Sequence, residues 1–124
     1  MLNITFHAQS FEMTDAIKSY LEKKLMMLNK LVEVPTADDM CEVRIRREAP
    51  DHHKQGNDIY HVDITITSSG QTYRADADTH DIYASIDEVK DELEQMVRTQ
   101  QKTFRDDERR GALAAKEMIR DIEE

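Results

Sequence analysis

Three arginines, Arg44, Arg46 and Arg47, stand almost side by side in this chain, and the chemistry they suit is phosphate recognition. A guanidinium keeps its proton at neutral pH and presents a planar fork of donors that matches phosphate oxygens. In an extended strand Arg44 and Arg46 project from one face about 7 Å apart, close to the spacing of successive phosphates along a nucleic-acid strand. Arg74 alternates outward in a later strand pattern, and Lys18, Lys23, Lys24 and Lys30 add basic charge to a helical segment. On charge alone, these residues are equally consistent with ordinary surface cations paired to nearby Asp or Glu.

Other reactive side chains lack the company that chemistry requires. His52 and His53 fall in a predicted loop near Asp51, Lys54 and Asp58. A metal needs three or four convergent ligands, and adjacent loop histidines point apart unless the backbone holds them. Cys41 falls on the apolar face of a predicted strand, without a second Cys in the chain or a His beside it, as a buried structural thiol would. Glu88, Asp91, Glu92 and Glu94 line the exposed side of a predicted helix. Neighbouring carboxylates share acid–base work only where their environments push their pKa values apart; otherwise they are a solvated face. No glycine-rich phosphate loop, dinucleotide fingerprint or serine elbow is present. The sequence predicts a non-enzymatic protein with no catalytic residues, no metal and no cofactor.

Composition sets bounds on what positions these groups. The 124 residues suit one domain with one modest core. With 35% charged residues and no Trp, that core must be aliphatic, with Met and a few Tyr and Phe. A single Cys excludes an internal disulfide framework and suits a reducing compartment. No run approaches the ~20 apolar residues of a membrane span, and the first residues alternate like a strand instead of a signal peptide. A soluble, cytoplasmic protein with no membrane partner and no small-molecule substrate is expected. The net charge of −9 opposes a generic nucleic-acid binder. The charge is uneven, however: residues 1–34 hold four basic and four acidic side chains, residues 35–80 five against nine, 81–105 four against six, and 106–124 four against seven.

Hydrophobic period supplies the elements. From Gln71 to Val97 the period changes once, at Thr79-His80-Asp81. Tyr73, Ala75 and Ala77 alternate before it, and Ile82, Ile86, Val89, Leu93, Met96 and Val97 repeat at helical spacing after it. Thr79 and Asp81 are both candidate N-caps. Leu2, Ile4 and Phe6 give a first strand, and Thr14 caps a helix carrying Ile17, Leu21, Leu25, Leu28 and Leu31 before Pro35. Cys41, Val43 and Ile45 form a second strand, the loop from Glu48 to Asn57 contains Pro50 and Gly56, and Tyr60, Val62, Ile64 and Ile66 form a third. Ser68-Ser69-Gly70 is a tight turn. The predicted fold is α+β in the order β-α-β-β-β-α, a four-stranded sheet with both helices on one face. Strands two to four form an antiparallel meander, and the crossover helix leaves the first strand free to pair in parallel. Past Val97 the apolar face thins, leaving Phe104 in a polar stretch.

That element order resembles the ribosome hibernation factors, the group of ribosome-associated inhibitor A and hibernation-promoting factor. So do Leu2-Asn3-Ile4-Thr5, helix one from Thr14-Asp15-Ala16-Ile17 through Lys23-Lys24-Leu25, and Asp81-Ile82-Tyr83-Ala84-Ser85-Ile86-Asp87, the most specific piece. The likeness runs from about Leu2 to Phe104. It implies a fold like that of double-stranded-RNA-binding domains and a place on the small ribosomal subunit, where messenger and transfer RNA bind. Its basic positions fall on Lys18, Lys24 and Lys30, as contacts that position the domain on rRNA phosphates without reading bases. Two departures stand out. Met27 replaces a usual Lys, and the family's Lys-Leu-x-Arg-Gln-Leu pattern reads Glu92-Leu93-Glu94-Gln95-Met96-Val97. Later on the second helix only Arg98, Lys102 and Arg105 then supply positive charge.

The expectation is therefore a ribosome-binding domain over residues 1–105 and a charged, acidic tail over 106–124. The rRNA-binding set comprises Lys18, Lys23, Lys24, Lys30, Arg44, Arg46, Arg47, Arg74, Arg98 and Lys102. The tail from Arg109-Arg110 to Glu123-Glu124 is too short for a second, dimerising domain and resembles the short-form inhibitor branch, which is associated with single silenced ribosomes. The competing expectation is an acidic interaction adaptor that uses the second helix, with Glu92 and Gln95, and the tail to hold a basic partner.

Overall fold

Alternation and helical period become six elements in the computed structural model, which describes residues 3–29, 40–49, 57–68 and 70–123. They are β1 (Asn3–Gln9), α1 (Asp15–Asn29), β2 (Met40–Glu48), β3 (Ile59–Ser68), β4 (Gln71–Thr79) and α2 (Ile82–Glu123). The sheet order is β1-β2-β3-β4, with β1 parallel to β2 and the other neighbours antiparallel. The α+β architecture, the meander and the parallel crossover strand are as the sequence predicts. Leu2, Lys30, Leu31, Pro35, His52, His53 and Ser69 lie outside the described residues.

β2, β3 and β4 bury apolar residues under the helices, and Ile4 and Phe6 of β1 pack partly buried beside them. Cys41, Val43 and Ile45 of β2 and Val62, Ile64 and Ile66 of β3 are buried, as is Ala75 of β4. Against them pack Ile17, Leu21, Leu25 and Leu28 of α1 and Ile82, Ile86, Val89 and Leu93 of α2, and Val97 is buried one turn further on. Each fully buried Val, Leu or Ile contributes about 1.5–3 kcal/mol of transfer free energy. α2 lies over β3 and β4 and meets α1 along one flank. Burial of Cys41 pushes its thiol pKa up to about 12, which leaves it protonated and structural.

The helix starts are fixed by side-chain oxygens. Thr14 Oγ1 accepts from the Ile17 amide at 3.3 Å, as an N-cap does. For α2, Asp81 Oδ1 accepts from the Tyr83 amide at 3.1 Å and the Asp81 carbonyl from Ser85 at 3.0 Å, which makes Asp81 the cap. Thr79 holds the cap in turn, accepting from the Asp81 amide at 3.1 Å. Between β3 and β4 the register sets Ser68 opposite Gln71, and Gly70 takes φ 77°. That left-handed backbone is the reason for glycine there, since an added Cβ would meet nothing within 4 Å.

α2 continues well past the point where its apolar stripe thins. Its 42 residues form one continuous helix that takes in the stretch read from sequence as a charged tail. At 1.5 Å per residue it is about 63 Å long. Phe104, Leu113, Met118 and Ile119 along its distal part are all more than half exposed.

Candidate nucleic-acid interface

The polar face of the sheet carries Arg44, Arg46 and Arg74, and strand register decides what surrounds them. Cross-strand rows run His7–Arg44–Asp63–Asp76 and Gln9–Arg46–His61–Asp78, with Thr5–Glu42–Thr65–Arg74 beside them. Arg44 donates to Glu42 at 2.8 Å, and Arg74 forks onto Asp63 at 2.6 and 3.2 Å. Arg46 Nη1 is 3.8 Å from Glu48. The guanidinium beside Glu42 lowers that carboxyl's pKa, and the Asp63 hydrogen bond raises that of Arg74. Both ring nitrogens of His61 face carboxylates, Asp78 and Glu48. Three arginines thus share this face with Glu42, Glu48, Asp63, Asp76 and Asp78. The surface is net acidic, and each guanidinium on it already has a carboxylate partner.

Arg47 does not stand with Arg44 and Arg46. Its parity is that of Cys41, Val43 and Ile45, so it leaves the helix side of the sheet at the end of β2 and lies 3.9 Å from Asp58. Proximity in sequence put the three together; the pleat separates them.

The helix side has a different balance. Lys18 and Lys23 are exposed on α1, with no ion pair among the described residues, and Lys18 Nζ sits 5.6 Å from the centre of the Phe6 ring. Lys24 is a seam residue. Its Nζ is 3.4 Å from Asp87 of α2 and 5.3 Å from the centre of the Tyr20 ring. Tyr20 donates its hydroxyl to Asp87 at 2.6 Å and meets the exposed Tyr83 edge-on at 4.9 Å. That hydrogen bond to a carboxylate pushes the Tyr20 pKa up to about 12. On α2, Glu94 accepts from Lys90 at 2.6 Å and from Arg98 at 2.9 Å, which lowers its pKa. Lys90 also reaches Asp91 at 3.6 Å. Lys102 is exposed, with no ion pair among the described residues.

Each residue of the run Asp81–Asp87 that meets a partner has a structural role. Asp81 caps α2, Ile82 and Ile86 enter the core, and the buried Ser85 donates to the Tyr60 carbonyl at 2.9 Å. Asp87 ties α2 to α1 through Tyr20 and Lys24. Its specificity in sequence is that of a structural joint that fixes where two helices meet.

The Sigma 54 modulation protein / S30EA ribosomal protein family matches residues 3–105 of this sequence. The chain belongs to that family, the ribosome hibernation factors. Among curated relatives, the ribosome hibernation promotion factor of Staphylococcus aureus is 29% identical over 99 residues. The match takes in 79% of this chain and 47% of that protein, so the chain spans about half the length of that relative. Among solved structures, the N-terminal domain of Thermus thermophilus Protein Y superposes with TM-score 0.64 at 27% identity, over 79% of this chain and 98% of that one. A ribosomal subunit interface protein from Coxiella burnetii shares the fold at TM-score 0.62 and 18% identity, over 82% and 99% of the two chains.

The matched family segment contains all ten candidate residues, but the fold does not collect them on one surface. Arg44, Arg46 and Arg74 face one way, and Arg47, Lys18, Lys23, Lys24, Arg98 and Lys102 lie on the helix side; Lys30 is outside the described residues. Basic residues outside the sequence-based set lie further along α2. Arg109, Lys116 and Arg120 belong to the same helix as Arg98, Lys102 and Arg105. The signal was their spacing, which continues the helical period after the apolar stripe has thinned.

Proposed function

We propose that the chain is a non-enzymatic ribosome hibernation factor that binds rRNA of the small ribosomal subunit at the messenger and transfer RNA sites and so inhibits translation. The family match over residues 3–105 carries this reading, and the superposition on the Protein Y domain supports it. The helices are the better candidates for meeting phosphate. Lys18, Lys23 and Lys102 are exposed there without carboxylate partners among the described residues, whereas the arginines of the sheet face would have to give up ion pairs. Contacts of this kind recognise the shape and backbone of RNA and are weakened by salt. The alternative, an acidic adaptor built on α2, loses much of its charge to Lys24, Lys90 and Arg98, which neutralise Asp87, Asp91 and Glu94.

Cosedimentation with purified small subunits at low and moderate salt tests the proposal. Association that weakens as salt rises is expected, and absence from the small-subunit fraction at both salts would overturn it. The paired charge reversal Lys18→Glu/Lys23→Glu should weaken binding, while Arg44→Glu/Arg46→Glu should leave it nearly unchanged.

A further inference from the structure

We propose that one row of α2, Arg98-Lys102-Arg105-Arg109-Lys116-Arg120, is a ridge that binds the phosphate backbone of RNA. The row extends the candidate interface beyond the segment shared with the family, and the inference rests on the rRNA-binding reading above. At 100° per residue these six side chains fall within an arc of about 60° that contains no acidic residue between positions 98 and 120. The acidic side chains of that stretch lie outside the arc, Asp106 about 40° from its edge and Asp107, Glu108 and Glu117 about 60° or more. All six basic residues are exposed. Arg98 is held by Glu94 at 2.9 Å, whereas Lys102, Arg105, Arg109, Lys116 and Arg120 have no ion pair among the described residues.

The geometry suits a polyanion. Members three or four positions apart rise about 5–6 Å along the axis, near the spacing of successive phosphates, with one wider step of about 10 Å across Gly111 and Ala112. The whole ridge is about 33 Å long. It lies on the flank of α2 that meets α1, where Asp87 holds Tyr20 and Lys24. The ridge therefore continues past α1 on the side that carries Lys24. A net charge of −9 does not oppose local binding, because charges beyond about 8–10 Å are screened at physiological salt. Long exposed stems let the cations reach phosphate without unpacking the helix.

The test is equilibrium binding of the full chain to two probes, purified small ribosomal subunits and a mixed-sequence A-form RNA duplex, over a salt series. The variant Arg105→Gln/Arg109→Gln/Lys116→Gln removes three members and keeps good helix formers in place. A control, Thr99→Glu/Thr103→Glu/Arg110→Gln, makes the same change in net charge on another flank. The ridge predicts a 10- to 100-fold loss of affinity at low salt for the first variant on both probes, with the slope of log K against log salt falling by about 0.9 per lost contact on the duplex. The control should change affinity less than threefold. Equal loss in both variants, or no loss in the first with circular dichroism unchanged, would overturn the ridge while leaving small-subunit binding by the wild type intact. A wild-type chain that binds neither probe would overturn the ribosomal reading and the ridge together.

Discussion

The two halves of α2 carry opposite charge along the same helical row. Over the sheet the row reads Asp87, Asp91, Glu94, and each carboxylate meets a cation of the same protein: Lys24, Lys90 or Arg98. Beyond Val97 it turns basic, and past Arg98, which Glu94 holds, its charges meet solvent. The apolar stripe changes in parallel. Leu93 is fully buried, whereas Phe104 is 62% exposed. Charge that closes on itself fastens a fold, and charge left open is available to a partner. Net charge, summed over both halves, hides the distinction.

The largest effect that should separate the halves is in the core. Leu93→Ala is expected to destabilise the domain by about 2–5 kcal/mol in denaturant unfolding, and Phe104→Ala by less than about 0.5 kcal/mol. Comparable losses would mean that the distal half packs against something. Next comes the seam. Lys24→Glu sets a like charge beside Asp87 and should cost about 1–2 kcal/mol, while Lys23→Glu on the exposed face should be near neutral. If the two reversals unfold at the same denaturant concentration, the Asp87 joint is not a stabilising contact. Third, Gly111→Ala fills open space in the distal helix and should add about 1 kcal/mol of helix propensity. Slower amide exchange around Gly111, with the global midpoint unmoved, is the expected signature, and a shift of the global midpoint would show that the halves unfold together.

The smallest effect concerns pH. The Tyr20 pKa rises from 10.0 to about 12 in the fold, so the folded state keeps a proton that the unfolded state has lost. Its contribution is full below pH 10 and disappears as pH climbs towards 12. Cys41, raised from 9.0 to about 12 by burial, adds a fall of the same sign that begins nearer pH 9. Tyr20→Phe should therefore flatten the alkaline decline in melting temperature without abolishing it. An unchanged slope would remove Tyr20 from the seam.

Much of the fold was legible because alternation and helical period report burial directly. Cys41, Val43 and Ile45 sit where their spacing puts them, and Thr14 caps where its oxygen precedes an apolar run. The choice between Thr79 and Asp81 was not legible, since both are short oxygen-bearing side chains and only the turn geometry separates them. Nor were the partners of Arg44 and Arg74. For Arg74 a register shift of two residues preserves the alternation, so its pairing with Asp63 had to come from the sheet itself; for Arg44 only side-chain geometry selects Glu42, its neighbour on the same face of β2, over Asp63 across the strand. The length of α2 was left open for a related reason. The apolar stripe signals burial, whereas Ala112, Leu113, Ala114, Ala115 and Lys116 sustain a helix by propensity with nothing to bury it.

The parallel strand at the sheet edge has a consequence for how the chain reaches its fold. Ser68 and Gln71 meet across a two-residue turn, whereas Asn3 meets Met40 only after the chain has passed through the whole of α1. Closing the longer loop costs more entropy and brings no reward until its strand is paired. The β3–β4 hairpin, joined by β2 and the first turns of α2, should therefore form the folding nucleus, with β1 docking last. Core truncations in β3, such as Val62→Ala, should slow folding, and Ile4→Ala in β1 should mainly hasten unfolding.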